Sequence, residues 1–515
     1  MIFYFQWVNT GKVVTTSKKG ESSGIGGFFS SETIERRLIM TVKNQKIGYL
    51  PDETPSLGNL LLYALQQVVV MFPATITVAL ITGFQVSTTI FASGLATLCF
   101  ILITGKKIPL YYGSSFAYLS AISSLAYTQA SEAEIESWLA SGILPPNIIS
   151  MAQFGIIMSG FVSIAAGLIA KKFGVEKIEK FLPASITGSV SMVIGLTLAG
   201  SAMSDFLGVG SSLGGTTIEA GSTNATLWLI VGAITLISTC VYARYLKGIL
   251  SQLPLLLGVL TGCATAAIIY FVGGVNLFRM MPAEALAAST WKLGDGSIFA
   301  LPAFTLPKFS MPALLGIMPV AIATIPESTA HMYQLEIYIN DVAKEKGKGK
   351  YDMVGLLGNN LIGDGICDMV SGFVGGPAGT NYGENISTMA ITRVFSVPVL
   401  IVASIIAMIV ACFTPLIQII YGIPLAVIGG IEVYCFGAIA AQGIAILIDK
   451  NVSMFDTKNI AVIATVCIVG IGAHFAFNGV VPIYVFGQPI PDIAAAAIAG
   501  ILVNLIMSIG EKKKQ

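Results

Sequence analysis

Charged residues are scarce in this chain. Asp, Glu, Lys and Arg make up 11% of its 515 residues, whereas soluble domains carry about 25%. The formal net charge is only +1, so no overall positive field would attract nucleic acid. With 55% hydrophobic residues and a mean hydropathy of +0.82, the composition excludes an ordinary soluble protein and predicts no nucleic-acid partner.

Sequence motifs of enzymes and of bound cofactors are also missing. Only two histidines are present, and the chain has no HExxH, no GxxxxGK[ST] loop and no Ser/His/Asp arrangement. The seven cysteines form no CxxC pair and have no metal-ligand spacing. We therefore predict no catalytic residue, no metal, no cofactor and no ATP-driven transport within this chain.

The N-terminal stretch shows no cleavable signal peptide, because its apolar run IFYFQWV is short and lacks a preceding basic region. Residues 1–39 are rich in Gly, Ser, Lys and Thr, which predicts disorder. They are either an extension or a misassigned start ahead of Met40.

Apolar segments long enough to cross a bilayer dominate the rest of the chain. A crossing helix needs about 20 residues, and by that criterion we count about fourteen segments. They predict an all-α polytopic membrane protein. The approximate spans are 58–83, 85–104, 108–127, 150–172, 181–202, 224–245, 249–274, 311–335, 352–374, 377–392, 395–415, 418–447, 459–477 and 489–509.

Lys and Arg are concentrated in every second loop between these spans. If the N-terminus is cytoplasmic, the outer loops contain only Arg279, Lys292 and Lys308. This bias follows the positive-inside rule. It predicts a multi-pass protein of the cytoplasmic (inner) membrane, surrounded by lipid, with both termini cytoplasmic.

Two spans are short and interrupted by glycine, one in each half of the chain. They are IPLYYGSSFAYL at 108–119 and GPAGTNYGENIS at 376–387, the third and the tenth. Seven spans lie on each side of the 275–310 connection, and an odd number places the halves in opposite orientations. Paired broken segments in inverted repeats predict a binding site near the membrane midplane.

Glu384 follows the second interruption. If the backbone from Gly376 to Gly383 is extended, its N–H and C=O groups are free for a ligand. A half-helix starting near Glu384 would then direct its positive end at the site. Acidic groups at membrane depth are costly and indicate function. The alternative is a carboxylate that only caps this helix.

Glu327 is the second acidic candidate, in a span with no further acid before Glu336. His331 follows one helical turn later on the same face. The pair could share or relay a proton. The alternative is a structural contact that fixes helix packing.

The interruption in the first half, 111–117, has a similar composition. Gly113, Ser114 and Ser115 allow close backbone approach, and Phe116 could stack on a planar ligand. The alternative is helix packing by small residues around a core aromatic. Weaker polar candidates are Asp364, Asp368, Glu432, Gln66 and Gln67.

At these residues the chain resembles the nucleobase–ascorbate transporter family, most closely its bacterial uracil permeases. The family signature is Gln or Glu, then Asn-x-Gly, four residues, Thr and often Arg, and ENISTMAITR at 384–393 is similar to it. GSSFA at 113–117, IPE before His331 and GGP at 375–377 add independent matches. The similarity spans roughly residues 55–509.

The resemblance implies a homodimer whose fold has fourteen segments in two inverted sevens, with segments 3 and 10 paired as short antiparallel strands. A core domain would move like an elevator against a gate domain. The implied divisions are 1–54 (cytoplasmic N-terminal segment, partly disordered), 55–175 (core, segments 1–4), 176–275 (gate, segments 5–7), 276–310 (extracellular connection), 311–394 (core, segments 8–10), 395–417 (core, segment 11), 418–509 (gate, segments 12–14) and 510–515 (cytoplasmic tail).

The resemblance also implies proton-coupled import of uracil. Glu327 and Glu384 would accept hydrogen bonds from ring N–H groups, while the main-chain amides of Phe116 and Gly383 would serve ring carbonyls. Glu327, with His331, would couple transport to protons. Further residues implied to line the site or to lie beside it are Ser115, Ala117, Tyr382, Asn385, Ser387 and Gln67.

Three features depart from the family pattern. Ser387 replaces the signature Gly, Gln66 and Gln67 stand where a Gln-His pair is common, and Glu432 lies in a span that is often uncharged. The first two could favour another pyrimidine or xanthine, so import of xanthine or urate is the alternative function. A second alternative is an anion transporter or channel of the same architecture, although two site carboxylates would repel an anion.

Overall fold

The computed structural model describes residues 48–174, 183–213, 216–248, 250, 253–279, 298–477, 479–485 and 488–509. Apart from Gly48, these residues belong to one unit, Tyr49–Gln515. The predictions for residues 1–39 and 510–515, and most of the 276–310 connection, lie outside the described residues.

The apolar runs form helices. In the first half these are α1 (Leu57–Thr82), α2 (Val86–Ile103), α3 (Leu119–Gln129), α4 (Glu132–Ser141), α5 (Pro146–Phe173), α6 (Ala184–Thr197), α7 (Ala199–Leu207), α8 (Thr223–Tyr245) and α9 (Pro254–Gly273). In the second half they are α10 (Met311–Ile317), α11 (Ala321–Glu345), α12 (Leu357–Val374), α13 (Gly383–Thr392), α14 (Val397–Ala411), α15 (Thr414–Tyr421), α16 (Leu425–Asp449), α17 (Thr457–Phe477) and α18 (Asp492–Met507).

The described residues contain nine helical stretches that are long and apolar enough to cross a membrane, and two shorter apolar helices, α14 and α18. This agrees with the prediction of a polytopic helical membrane protein. The count of fourteen segments and the inverted repeat stay predictions.

Some predicted spans have different boundaries. The span 311–335 is divided by a 3-10 turn at Met318–Val320, and its helix α11 continues to Glu345. The span 418–447 is divided between α15 and α16, with Pro424 at the N-cap of α16. Proline lacks an N–H and clashes with the preceding turn, so a helix can begin at Pro424 but not continue through it.

In the part of the chain that the structure describes, three short two-stranded sheets accompany the helices. β1 (Tyr112–Ser114) pairs antiparallel with β4 (Gly379–Asn381), with Gly113 opposite Thr380. This pairing confirms the predicted strands of segments 3 and 10. The other two sheets pair β2 (Ser212–Leu213) with β3 (Thr216–Thr217), and β5 (Val480–Val485) with β6 (Gln488–Pro491).

Buried apolar side chains divide into clusters that draw on different helices. The largest cluster combines residues of α1, α2, α11, α12, α13 and α14. A second is built mainly from α6, α16, α17 and α18, and a third joins α3, α5 and α10. The strand pair β1–β4 lies where helices of the first and second clusters approach each other, since Phe116 packs against both.

Candidate functional site

The candidate site begins at the crossing of β1 and β4, which two glycines make possible. A Cβ on Gly113 would lie 2.3 Å from ring atoms of Tyr382, and one on Gly379 would lie 2.4 Å from the Gly113 carbonyl oxygen. The Tyr382 hydroxyl donates to the Ser114 carbonyl at 3.1 Å and lies 2.9 Å from the Thr75 hydroxyl. Tyr382 therefore holds the crossing together.

Each strand leads into a helical turn whose first N–H groups point back to the crossing. β1 is followed by a 3-10 turn (Phe116–Tyr118) and α3, and β4 is followed by α13. The start of α13 at Gly383 confirms the half-helix predicted near Glu384. The first N–H groups of a helix lack intrahelical acceptors, so those of Phe116 and Gly383 can serve a ligand.

Ser115 supports the first of these turns. Its buried hydroxyl accepts from the Ala117 N–H at 3.3 Å, and its own N–H donates to the Ala378 carbonyl at 2.9 Å. The Ala117 N–H is thus occupied locally, and Phe116, the first residue of the turn, is half-buried.

Glu327 on α11 and Glu384 on α13 approach each other closely enough to interact electrostatically. Glu327 is half-buried, and its carboxylate lies within hydrogen-bonding reach of the Gln442 side chain on α16. Glu384 is exposed yet lies within electrostatic range of Tyr434 and Cys435, also on α16. Glu384 therefore lines a space between α13 and α16 that is open to solvent.

Gln442 was not identified from the sequence. It is a neutral amide in an otherwise apolar stretch of α16, GAIAAQGIAIL, and intramembrane amides also serve ordinary helix packing. Only its position opposite Glu327 gives it a place in the site.

His331 is buried one turn after Glu327 in α11. Within the described part of the chain no hydrogen bond joins His331 to Glu327, and Nδ1 of His331 has no partner. The proton relay between them stays a prediction.

Asn385 and Gln67 meet beside the site. The Asn385 side-chain amide donates to the main-chain oxygen of Gln67 at 3.0 Å and to its Oε1 at 2.7 Å. Both side chains are buried, so they connect α13 to α1. Ser387 is half-buried one turn after Gly383.

Asp364 connects three elements behind Glu327. It accepts a hydrogen bond from the hydroxyl of Ser328, the residue next to Glu327, and one from the Asn381 amide at 3.2 Å. The same amide donates to Asn360 at 3.0 Å. Asp364 thus links α11, α12 and β4.

Asp368, one turn later, serves the strand crossing. Its Oδ1 accepts from the Tyr112 hydroxyl and from the Gly379 N–H at 2.9 Å. Of the two weaker acidic candidates on α12, Asp368 is therefore a structural acceptor for β1 and β4.

The site carries negative charge without a matching cation. Among the described residues, no Lys or Arg forms an ion pair with Glu327 or Glu384. The described residues also contain no cluster of three His, Cys, Asp or Glu side chains that could hold a metal. The arrangement suits a neutral ligand with N–H donors.

Comparison with known sequences identifies relatives over most of the chain. A family model described as a permease family matches residues 58–479. The chain is 33% identical over 355 residues to the uracil permease of Bacillus caldolyticus, covering 68% of this chain and 70% of that protein. It is 30% identical over 353 residues to the putative pyrimidine permease RutG of Escherichia coli K12, covering 68% and 69% respectively.

Solved structures with a similar fold have little sequence identity. The transmembrane domain of a cyanobacterium bicarbonate transporter, BicA, matches with a TM-score of 0.52 at 16% identity, covering 90% of this chain and 100% of that domain. The murine Slc26a9 anion transporter in its inward-facing state matches with a TM-score of 0.59 at 11% identity, covering 97% and 77%. These likenesses establish the fold alone.

Proposed function

Because this chain belongs to the nucleobase–ascorbate transporter family of permeases, we propose that it is a proton-coupled secondary transporter that imports uracil. The relatives are permeases, so the chain is a transporter and not an enzyme. The observation that carries the proposal is the approach of Glu327 and Glu384 beside the N-terminus of α13.

Uracil has the complementary chemistry for this site. Its edge alternates N–H donors with carbonyl acceptors, and an ionised carboxylate only accepts hydrogen bonds. Glu327 and Glu384 would accept from the ring N–H groups. The main-chain N–H groups of Phe116 and Gly383 would donate to the ring carbonyls, as helix N-termini do for electron-rich groups.

Proton coupling would act through Glu327. Two carboxylates in electrostatic range disfavour each other's ionisation, and binding of a proton to Glu327 removes that repulsion. His331, one turn away, would assist the exchange of that proton. Because Gln442 lies on α16 and Glu327 on α11, their contact would form and break as an elevator-like core moves against the gate.

The packing of the helices supports an inverted repeat of fourteen segments. The fourth segment packs on the ninth (α5 on α12), and the eleventh packs on the second (α14 on α2). Likewise the sixth packs on the seventh (α8 on α9), and the thirteenth on the fourteenth (α17 on α18). In an inverted repeat of two sevens, the two pairs in each sentence are equivalent. The nine long stretches and the two shorter apolar helices make eleven segments. Helix α12 and the two segments in which a strand leads into a half-helix, β1 with α3 and β4 with α13, bring the count to fourteen.

The helix clusters support a division into core and gate. The first and third clusters correspond to a core of 55–175 with 311–417, and the second to a gate of 176–275 with 418–509. We propose further that the transporter is a homodimer in the cytoplasmic membrane, with both termini cytoplasmic.

Two other cargoes are the alternatives. Xanthine or urate would fit if Ser387 and Gln67 reshape the pocket. Transport of an anion has only the fold of the solved bicarbonate and anion transporters in its favour. The uncompensated pair of Glu327 and Glu384 opposes it, since like charges repel.

The test is uptake of radiolabelled uracil into proteoliposomes with and without an inward proton gradient, in competition with xanthine, thymine and urate. We expect uphill uptake of uracil that a protonophore abolishes. Glu327→Gln should lose accumulation, whereas Glu136→Gln, an exposed acid on α4, should transport normally. Normal uphill uptake by Glu327→Gln, or preferential uptake of xanthine, would contradict the proposal.

A further inference from the structure

A second pair of acidic side chains lies between α7 and α16. Glu432 on α16 is only 2% exposed, and its Oε2 has no hydrogen-bond partner within the described residues. The two helices cross tightly at Gly429, one turn before Glu432, where a Cβ would lie 2.7 Å from the Asp205 carbonyl oxygen. This close crossing brings the carboxyl groups of Asp205 and Glu432 within hydrogen-bonding reach.

Among the described residues, one cation faces this pair from the segment that follows α9. Arg279 lies within electrostatic range of Asp205 and of the Tyr421 hydroxyl. Its Nη2 lies against the loop after α4, since a Cβ on Gly142 would be only 2.1 Å away. Its main-chain N–H donates to the Gly422 carbonyl at 3.1 Å. Arg279 thus bridges the acid pair and a loop of the proposed core.

The charge balance of this group requires a proton. Two carboxyl groups in contact, that of buried Glu432 and that of half-buried Asp205, cannot both ionise easily. The one guanidinium that the described residues place near them compensates only one of the two charges. A proton shared between the two carboxyls also provides the donor that two acceptors otherwise lack. We propose that Asp205 and Glu432 form a second proton-binding site, in the gate, whose charge holds Arg279 against the loop after α4.

The second pair is carried by α7 and α16, whereas the acids at the crossing strands are carried by α11 and α13. Among the described residues, the titratable and charged groups within range of the pair are Arg279, Tyr127 of α3 and Cys435 of α16, and Tyr421 of α15 lies within range of Arg279. When the pair is singly ionised, it attracts Arg279 and keeps the gate and core in contact. Binding of a second proton neutralises the pair and releases Arg279, so protons from the predicted outer face favour movement of the core.

Infrared difference spectroscopy of the purified full-length protein tests proton binding without any substrate. We expect wild type to show the carbonyl band of a protonated buried carboxyl that titrates with pH. Glu432→Gln and Asp205→Asn should each lose that component, whereas Glu327→Gln should retain it. An unchanged band in both variants would overturn the proposal. Loss of the wild-type band in sodium but not in choline salts would overturn it in favour of a cation site.

Arg279→Gln tests the role of the cation while both acids stay in place. Removal of the cation disfavours the ionised pair, so the titration midpoint should move to higher pH, and Arg279→Lys should move it less. An unmoved midpoint in Arg279→Gln would disprove the role of Arg279. The effect on transport rests on the proposed function: uptake by Arg279→Gln should depend less on external pH. Absence of uracil uptake would contradict the proposed function but not the second proton-binding site. An unchanged infrared band would contradict the second site but not the proposed function.

Discussion

The side-chain amide of Asn385 donates to two oxygens of one residue, the main-chain oxygen and Oε1 of Gln67, at 3.0 and 2.7 Å. Asn385 follows Glu384 at the start of α13, while Gln67 lies in the middle of α1. The proposed ligand-binding half-helix is therefore held in place by a helix more than 300 residues earlier in the chain.

Asn385→Ala should destabilise the protein by about 1–3 kcal/mol, because it leaves the buried Oε1 of Gln67 unpaired. Gln67→Ala should cost less, since its main-chain oxygen still accepts from Asn385. Thermal unfolding in detergent and the KM for uracil measure both effects. The double variant should lose less than the sum of the single variants, because the two residues share one interaction. Strict additivity would show that they act independently.

Gly113→Ala should disrupt the strand crossing. Its Cβ would be placed 2.3 Å from the Tyr382 ring, which is held by two hydrogen-bond partners and cannot easily move. Overpacking of this kind costs about 1–3 kcal/mol. We expect a lower unfolding temperature and loss of uracil binding, measured by a scintillation proximity assay.

The matched control is Gly437→Ala on α16, where a Cβ has no neighbour within 4 Å. Alanine is a better helix former than glycine by about 1 kcal/mol, so this variant should be neutral or more stable. Equal damage from both substitutions would refute the packing argument.

The break in segment 10 and the half-helix after it were predictable because their signals are local, while the strand pairing came from the family resemblance. Glycine-rich backbone between apolar runs has few uses in a membrane except to line a cavity, and Glu327 and Glu384 are costly there. The family signature at 384–393 pointed to the same segment. For these reasons the start of α13 could be located from sequence to within a residue, whereas β4 is shorter than the predicted extended stretch Gly376–Gly383.

Helix boundaries and long-range partners were less predictable. Proline does not act uniformly: Pro326 lies within α11 without ending it, whereas a 3-10 turn forms around Pro319. Neighbouring helices decide whether the lost hydrogen bond is tolerated. Gln442 meets Glu327 only because α11 and α16 approach each other in the fold, and no local pattern encodes that approach.

The segment before α1 should stabilise the fold in a pH-dependent way. The Tyr351 hydroxyl donates to Oδ1 of Asp52 at 2.6 Å, and this bond lowers the pKa of Asp52 below its ordinary value of 3.8. An acid with a lowered pKa stabilises the fold above its unfolded pKa, and the contribution is lost as the pH falls through the folded value. Because the Asp52 side chain is 60% exposed, solvent screening limits the contribution to less than about 1 kcal/mol.

Tyr351→Phe should therefore be slightly less stable than wild type at neutral pH. The difference should begin to shrink near the unfolded pKa of Asp52 and vanish only when the pH falls below its lowered folded pKa. Thermal unfolding from pH 7 to pH 3 measures this. In an Asp52→Asn background the same substitution should have no pH-dependent effect. A stability difference between Tyr351→Phe and wild type that grows on acidification would contradict this prediction.

Tyr112→Phe tests whether Asp368 serves the strand crossing. The Tyr112 hydroxyl on β1 and the Gly379 N–H on β4 both donate to Oδ1 of Asp368, so one buried carboxylate holds both strands. Loss of the hydroxyl should cost about 1–3 kcal/mol, as expected for a buried hydrogen bond to a charged group. Because both half-helices start from these strands, the KM for uracil should rise with little change in the proton dependence of uptake.

Tyr484→Phe, at a side chain that is 69% exposed, is the matched control and should behave as wild type. If Tyr112→Phe instead keeps wild-type stability and KM but loses proton dependence, Asp368 takes part in coupling rather than in holding the strands.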